Sequence, residues 1–130
     1  MKQTLFNEKF PIFVAEVGRN ETTCQDVGDV MSYLKAMIGE NPKAQFIGLF
    51  DHYAHTQRIG GEIDPSIRAA MNIVFCFGPS LPNPQVLAVR PRAIGVAELA
   101  DKFVVSFAEA PMAPANAAMQ GWVKGLRNKV

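Results

Sequence analysis

Both histidines of the chain fall in one six-residue stretch, Asp51-His52-Tyr53-Ala54-His55-Thr56. Imidazole is the side chain whose charge changes near neutral pH, so an aspartate beside a histidine offers general acid–base work. If the stretch is one helical turn, His52 and His55 share a face. Two imidazoles on one face can ligate a metal or a haem iron, with Asp51 or a thiol as a further ligand. No companion pair of Cys or His stands at metal-ligand spacing. The alternative is that Asp51 caps the turn and His52 is a hydrogen-bonded structural group.

Three further groups carry chemistry. Cys24 occupies the first helical position if Thr23 is the N-cap, with Asp26 completing a capping pair. A helix N-terminus favours thiolate, which makes Cys24 a possible reactive thiol. There is no C-x-x-C, so an inert small residue is the alternative. Cys76 stands among phenylalanines in an apolar run and is core or lines a pocket. Arg58, Arg68, Arg90 and Arg92 flank glycine- or proline-rich turns. Converging guanidinium groups bind carboxylate or phosphate; arginines scattered over the surface bind nothing in particular. The binding candidates are therefore Asp51, His52, His55, Cys76 and Arg90. No phosphate loop, dinucleotide fingerprint or nucleophile elbow occurs, and no cofactor is expected.

Several elements must position these groups. Pro11 to Val17 alternates as a strand, with Ile12, Val14 and Glu16 opposite Phe13, Ala15 and Val17. Val27, Val30, Met31, Leu34, Met37 and Ile38 recur at helical spacing, and Gly39 and Pro42 end that helix. Ala44 to Phe50 is nearly all apolar and reads as an interior strand buried on both faces. Asp51 to Gly61 is a short helix or turn, and Ser66 to Ala70 one helical turn. Met71 to Phe77 is a strand with Met71, Ile73, Phe75 and Phe77 on one face. Prolines make Gly78 to Pro91 a loop with extended pieces. Ile94 to Leu99 and Lys102 to Ala108 are strands joined around Ala100-Asp101. Pro114 suits the first turn of a final helix with Met119, Trp122, Val123 and Leu126 as its stripe. The plan is α+β: one domain over residues 1–130, with a single mixed or antiparallel sheet and the main helices packed on one face.

Composition agrees with a globular domain. The 130 residues are 48% hydrophobic and 19% charged, enough for one core. The net charge of +1 lacks the electrostatic footprint of a nucleic-acid binder. No run of 18 apolar residues stands ready to span a membrane. The first residues are interrupted by Asn7, Glu8, Lys9 and Pro11, unlike a secretory signal. A cytoplasmic location with both cysteines reduced is the expectation.

One pattern is familiar. A helix carrying Thr23, Asp26 and Leu34 precedes a strand running into Asp51-His52, then an alanine and a glycine. An apolar strand ends in Phe77-Gly78, Asn83-Pro84 follows, and late strands lead to Ala110-Pro111. Over residues 12–112 this resembles the uncharacterised bacterial family 302 of domains of unknown function. The insert of Pro79 to Pro82 and the lack of Leu-Pro in Arg92 to Leu99 depart from it. The resemblance implies a small α+β domain that dimerises, with Asp51-His52 as the recurring pair and no established reaction. Three functions compete. One is a small-ligand binding or accessory module, a homodimer with a pocket beside Asp51-His52. The second is an enzyme using His52 with Asp51 or Cys24. The third is metal or haem binding through His52 and His55.

Overall fold

A computed structural model of the chain describes residues 1–129. The strands are β1 (Lys2–Phe6), β2 (Phe10–Gly18), β3 (Ala44–Asp51), β4 (Ala69–Phe77), β5 (Arg92–Glu98) and β6 (Lys102–Ala108). The helices are α1 (Val27–Glu40), α2 (His52–Arg58) and α3 (Ala113–Lys124), with 3-10 turns at Arg19–Glu21 and Pro84–Ala88. The strands form one sheet in the order β1-β2-β6-β5-β4-β3, and every neighbouring pair is antiparallel. The α+β plan with a single antiparallel sheet is therefore the observed fold.

Alternation decides which face is covered. Phe13, Ala15 and Val17 of β2, Phe103, Val105 and Phe107 of β6, Ile94 and Val96 of β5, and Ile73, Phe75 and Phe77 of β4 are all buried. Successive strand residues point to opposite faces, so these share one face. They join Val30, Met31, Leu34 and Ile38 of α1 and Met119, Trp122 and Val123 of α3 in one core cluster. Trp122 stacks on Phe77 at 5.6 Å and 7° and meets Phe75 edge-on at 5.5 Å. The other face, with Ile12, Val14, Asn72, Val74, Gly95 and Ser106, stays half-buried and carries neither long helix.

Two polar ties hold the helices in place. Glu98 at the end of β5 accepts the Val27 N–H at the start of α1 (2.7 Å) and pairs with Arg19 (3.1 Å). That carboxylate favours the positive end of α1. Arg19 also donates to the carbonyls of Gln25, Leu99 and Ala100, so one side chain joins the β5–β6 turn to the approach to α1. At the other end, buried Asn116 accepts the Ala110 N–H (2.7 Å) and donates to the Ala110 carbonyl (2.9 Å), fixing the turn from β6 into α3.

Several expectations are corrected. The run Ala44 to Phe50 is not an interior strand: β3 is the sheet edge, with Ile47 56% and Leu49 48% exposed. Its apolar character reflects the edge of a core, with an irregularity in pairing between Phe46 and Gly48. Asp26, not Thr23, is the N-cap of α1, accepting the Asp29 N–H at 2.8 Å. Gly39 lies within α1, which ends at Glu40 with Asn41 as its C-cap. Ser66 to Ala70 is not a helical turn: Pro65 and Ser66 form a turn, with the Asp64 carboxylate accepting the Ser66 N–H and hydroxyl, and Ala69 and Ala70 already belong to β4. β1 had no sequence signal: its hairpin turns on Asn7 and Glu8, both at positive φ (51° and 64°), a conformation usually marked by glycine.

The packing of α1 on α3 gives a test. Tyr33 donates its hydroxyl to the Trp122 carbonyl at 2.7 Å. A Cβ on Gly125 would stand 2.2 Å from the Tyr33 hydroxyl oxygen. Gly125→Ala is expected to lower stability, by about 1–3 kcal/mol as the tyrosine bond is lost or strained. Gly39→Ala, in exposed helix with nothing within 4 Å, is expected to raise it by about 0.5–1 kcal/mol. Urea unfolding of the two variants checks both signs.

Candidate functional site

The Asp51-His52 corner forms where β3 ends and α2 begins. Asp51 Oδ1 accepts the Ala54 N–H at 2.9 Å and so caps α2. Its carboxylate is engaged with the backbone, and it is not the hydrogen-bond partner of His52. That partner is Asn72 of β4: His52 Nδ1 lies 3.2 Å from Asn72 Oδ1. With the amide oxygen accepting, Nδ1 is the donor of this bond.

The register explains why these groups meet. Phe50, Asn72 and Gly95 are cross-strand partners on β3, β4 and β5, so they share the uncovered face. His52 and His55 both flank the Phe50 ring, at 5.1 and 5.3 Å. The Asn72 amide lies over Gly95, where a Cβ would approach its nitrogen to 3.1 Å. Neither Asn72 nor Gly95 belongs to a recognisable sequence motif. The only signal was position, since Asn72 is the polar residue in an otherwise apolar strand.

Two concavities flank this pair. One, of about 150 Å³, is lined by His52, Tyr53, Thr56, Glu62, Asp64 and Ile67. Hydrogen bonds from the Ser66 backbone and hydroxyl hold the Asp64 carboxyl below its ordinary range, so it is ionised at neutral pH. The other, of about 450 Å³, is a shallow groove over the uncovered face, lined among others by Phe6, Ile12, Asn72, Gly95 and Ser106.

The remaining candidates separate. The rings of His52 and His55 stand 6.3 Å apart, and no group of three His, Cys, Asp or Glu able to hold a metal occurs among the described residues. Cys24 lies before α1, not at its first position, and packs half-buried against the core on the helix side. Cys24 is therefore not placed at the N-terminus of α1, where a thiolate would be favoured, and His52 belongs to the opposite face. Cys76 is half-buried on the uncovered face, at the Gln45 level of β3. Arg90 lies beyond the far end of β4, roughly 20 Å from the Asp51 level by strand rise. Of the four arginines, Arg90 and Arg92 line one pocket, while Arg58 ends α2 and Arg68 precedes β4.

Gly95→Ala tests this geometry. The added methyl is expected to displace the Asn72 amide and release His52, seen as a changed imidazole signal by NMR. Core amide shifts should stay near their original positions. An unchanged imidazole would show that Asn72 does not hold His52.

No helix among the described residues is long and apolar enough to cross a membrane. No curated protein and no solved structure matches the chain. The family comparison agrees with the short motifs in pointing to a family of unknown function, under a number other than 302 and over more than residues 12–112. The model described as "Family of unknown function (DUF6858)" matches residues 1–128, and the chain belongs to that family.

Proposed function

We propose that the chain is a bacterial, cytoplasmic small-ligand binding or accessory module whose ligand sits beside Asp51-His52. The carrying observation is the His52–Asn72 hydrogen bond at the edge of two concavities. A side chain on a rigid strand orients an exposed imidazole, which is how a scaffold prepares a polar contact for a ligand. Glu62 and ionised Asp64 on the rim favour a ligand with hydrogen-bond donors. The enzyme reading has weaker support: Asp51 is occupied as a cap and Cys24 is remote. The metal or haem reading rests on the two imidazoles alone.

The test is calorimetric titration of the intact protein with a panel of small amines, amides and polyols. At least one is expected to bind saturably, and His52→Ala to weaken it about tenfold, or 1.4 kcal/mol. The same variant is expected to lose less than about 1.5 kcal/mol of stability, the scale of one exposed hydrogen bond. No binding to wild type, together with a large stability loss in His52→Ala, would mark the corner as structural.

The homodimer expectation has its own support. β3 ends the sheet with Ile47 and Leu49 exposed, and a bare apolar edge is a template for a second strand. Light scattering is expected to give twice the 14.2 kDa of one chain, and Leu49→Lys to return it to one. The single-chain mass for wild type at micromolar concentration would overturn the dimer.

A further inference from the structure

The far end of β4 carries a further pocket, separate from the His52 corner. It has a volume of about 80 Å³ and lies between the 3-10 turn at Pro84–Ala88, the start of β5 and the turn into α3. Such a space admits a small molecule rather than a single water. Its walls are apolar: Phe77, Val86, Val89, Met112 and Ala115, with Arg90 and Arg92 as the charged exceptions.

Both guanidinium groups are held in place from behind. Arg90 donates to the Ser80 carbonyl and lies against Gly78, where a Cβ would meet its terminal nitrogen at 3.0 Å. Arg92 donates to the carbonyls of Val89 and Ala108. Those bonds use only part of the Arg92 fork, which has five N–H donors. Its Nε is buried with no partner. A buried donor left unpaired is costly, more so on a charged group. Burial also pushes the Arg92 pKa down, though a guanidinium remains charged. No carboxylate answers either charge: the ion pairs among the described residues are Arg19–Glu98, Lys102–Glu16 and Arg127–Glu21. Two unpaired cations, one with a buried orphan donor, therefore border an apolar cavity.

We infer that this pocket binds a short-chain aliphatic carboxylate, its carboxylate on Arg90 and Arg92 and its hydrocarbon against Val86, Val89, Met112 and Ala115. A planar fork fits a carboxylate in two places at once, and the apolar walls select a hydrocarbon tail over a bare inorganic anion. The geometry that shapes the pocket is independent of any ligand: Asn116 clamps Ala110, and Asn83 caps the 3-10 turn by accepting the Val86 N–H at 2.9 Å.

The experiment is NMR titration of the ¹⁵N-labelled full chain with acetate, butyrate, hexanoate and hexanol. Hexanoate is expected to bind saturably, shifting amides at Val89 to Arg92 and Ala110 to Ala115. It should bind at least tenfold tighter than acetate and than hexanol. Arg90→Gln and Arg92→Lys should each weaken hexanoate at least tenfold, while His52→Ala leaves it unchanged and so separates this site from the first. If Arg92→Lys does not fold, Arg90→Gln and the hexanoate-to-hexanol ratio decide. The inference is overturned by absence of saturable hexanoate binding, by hexanol binding as tightly, by shifts confined elsewhere, or by an Arg90→Gln variant with unaltered affinity.

Discussion

The stack of Trp122 on Phe77 and Phe75 seats α3 across β4, and most of the molecule follows from it. With α3 there, α1 packs beside it, tied by the Tyr33–Trp122 bond. Both long helices are then committed to one face. A large aromatic is the side chain best able to impose such an arrangement, because it buries the most apolar area and its ring has a preferred geometry. The other face is left to the short α2 alone. That asymmetry is why polar groups can collect there without being buried unpaired.

β4 links the two regions where chemistry could occur. Its residues alternate between the core and the uncovered face, so Phe75 and Phe77 serve packing while Asn72 serves the corner at His52. Its first half meets α2, and its end runs toward Gly78 and the arginine pocket. The two sites differ in character. At the first, polar and acidic groups surround an exposed imidazole; at the second, two cations border hydrocarbon. Different ligands follow from that difference, and the length of one strand keeps them apart.

Much of the fold was legible because it rests on periodicity. The stripe of α1 and the alternation in β2, β4 and β6 stand as read; in α3 the face of Met119, Trp122 and Val123 stands, while Leu126 is buried in the turn beyond the helix, which ends at Lys124. The parts that were not legible depend on partners elsewhere in the chain. A hydrophobic run such as Ala44 to Phe50 looks the same whether strands lie on both sides or on one, since neighbours and not composition make an edge. The β1 hairpin was hidden because Asn7 and Glu8 take up positive φ without a glycine to announce it. The cap moved from Thr23 to Asp26 because both residue types suit the role, and Glu98 from a distant strand secures the start at Val27.

For the site, the sequence alone determined the residue types and their local spacing. His52 and His55 share one face of a turn, Asp51 stands ready to cap it, and Arg90 and Arg92 flank a proline. These are short-range facts, set by a helix pitch of 3.6 residues or by adjacency. Only the tertiary structure decided their company. It gave His52 an asparagine from β4 in place of Asp51, set Cys24 on the helix side of the sheet, and moved Arg90 to the opposite end. It also brought Arg92, Val86 and Ala115 around one cavity. The physical reason is that hydrogen bonds and pockets are built by register between strands far apart in the chain. One residue of slip would turn Asn72 from the open face into the core, and no local pattern encodes that choice.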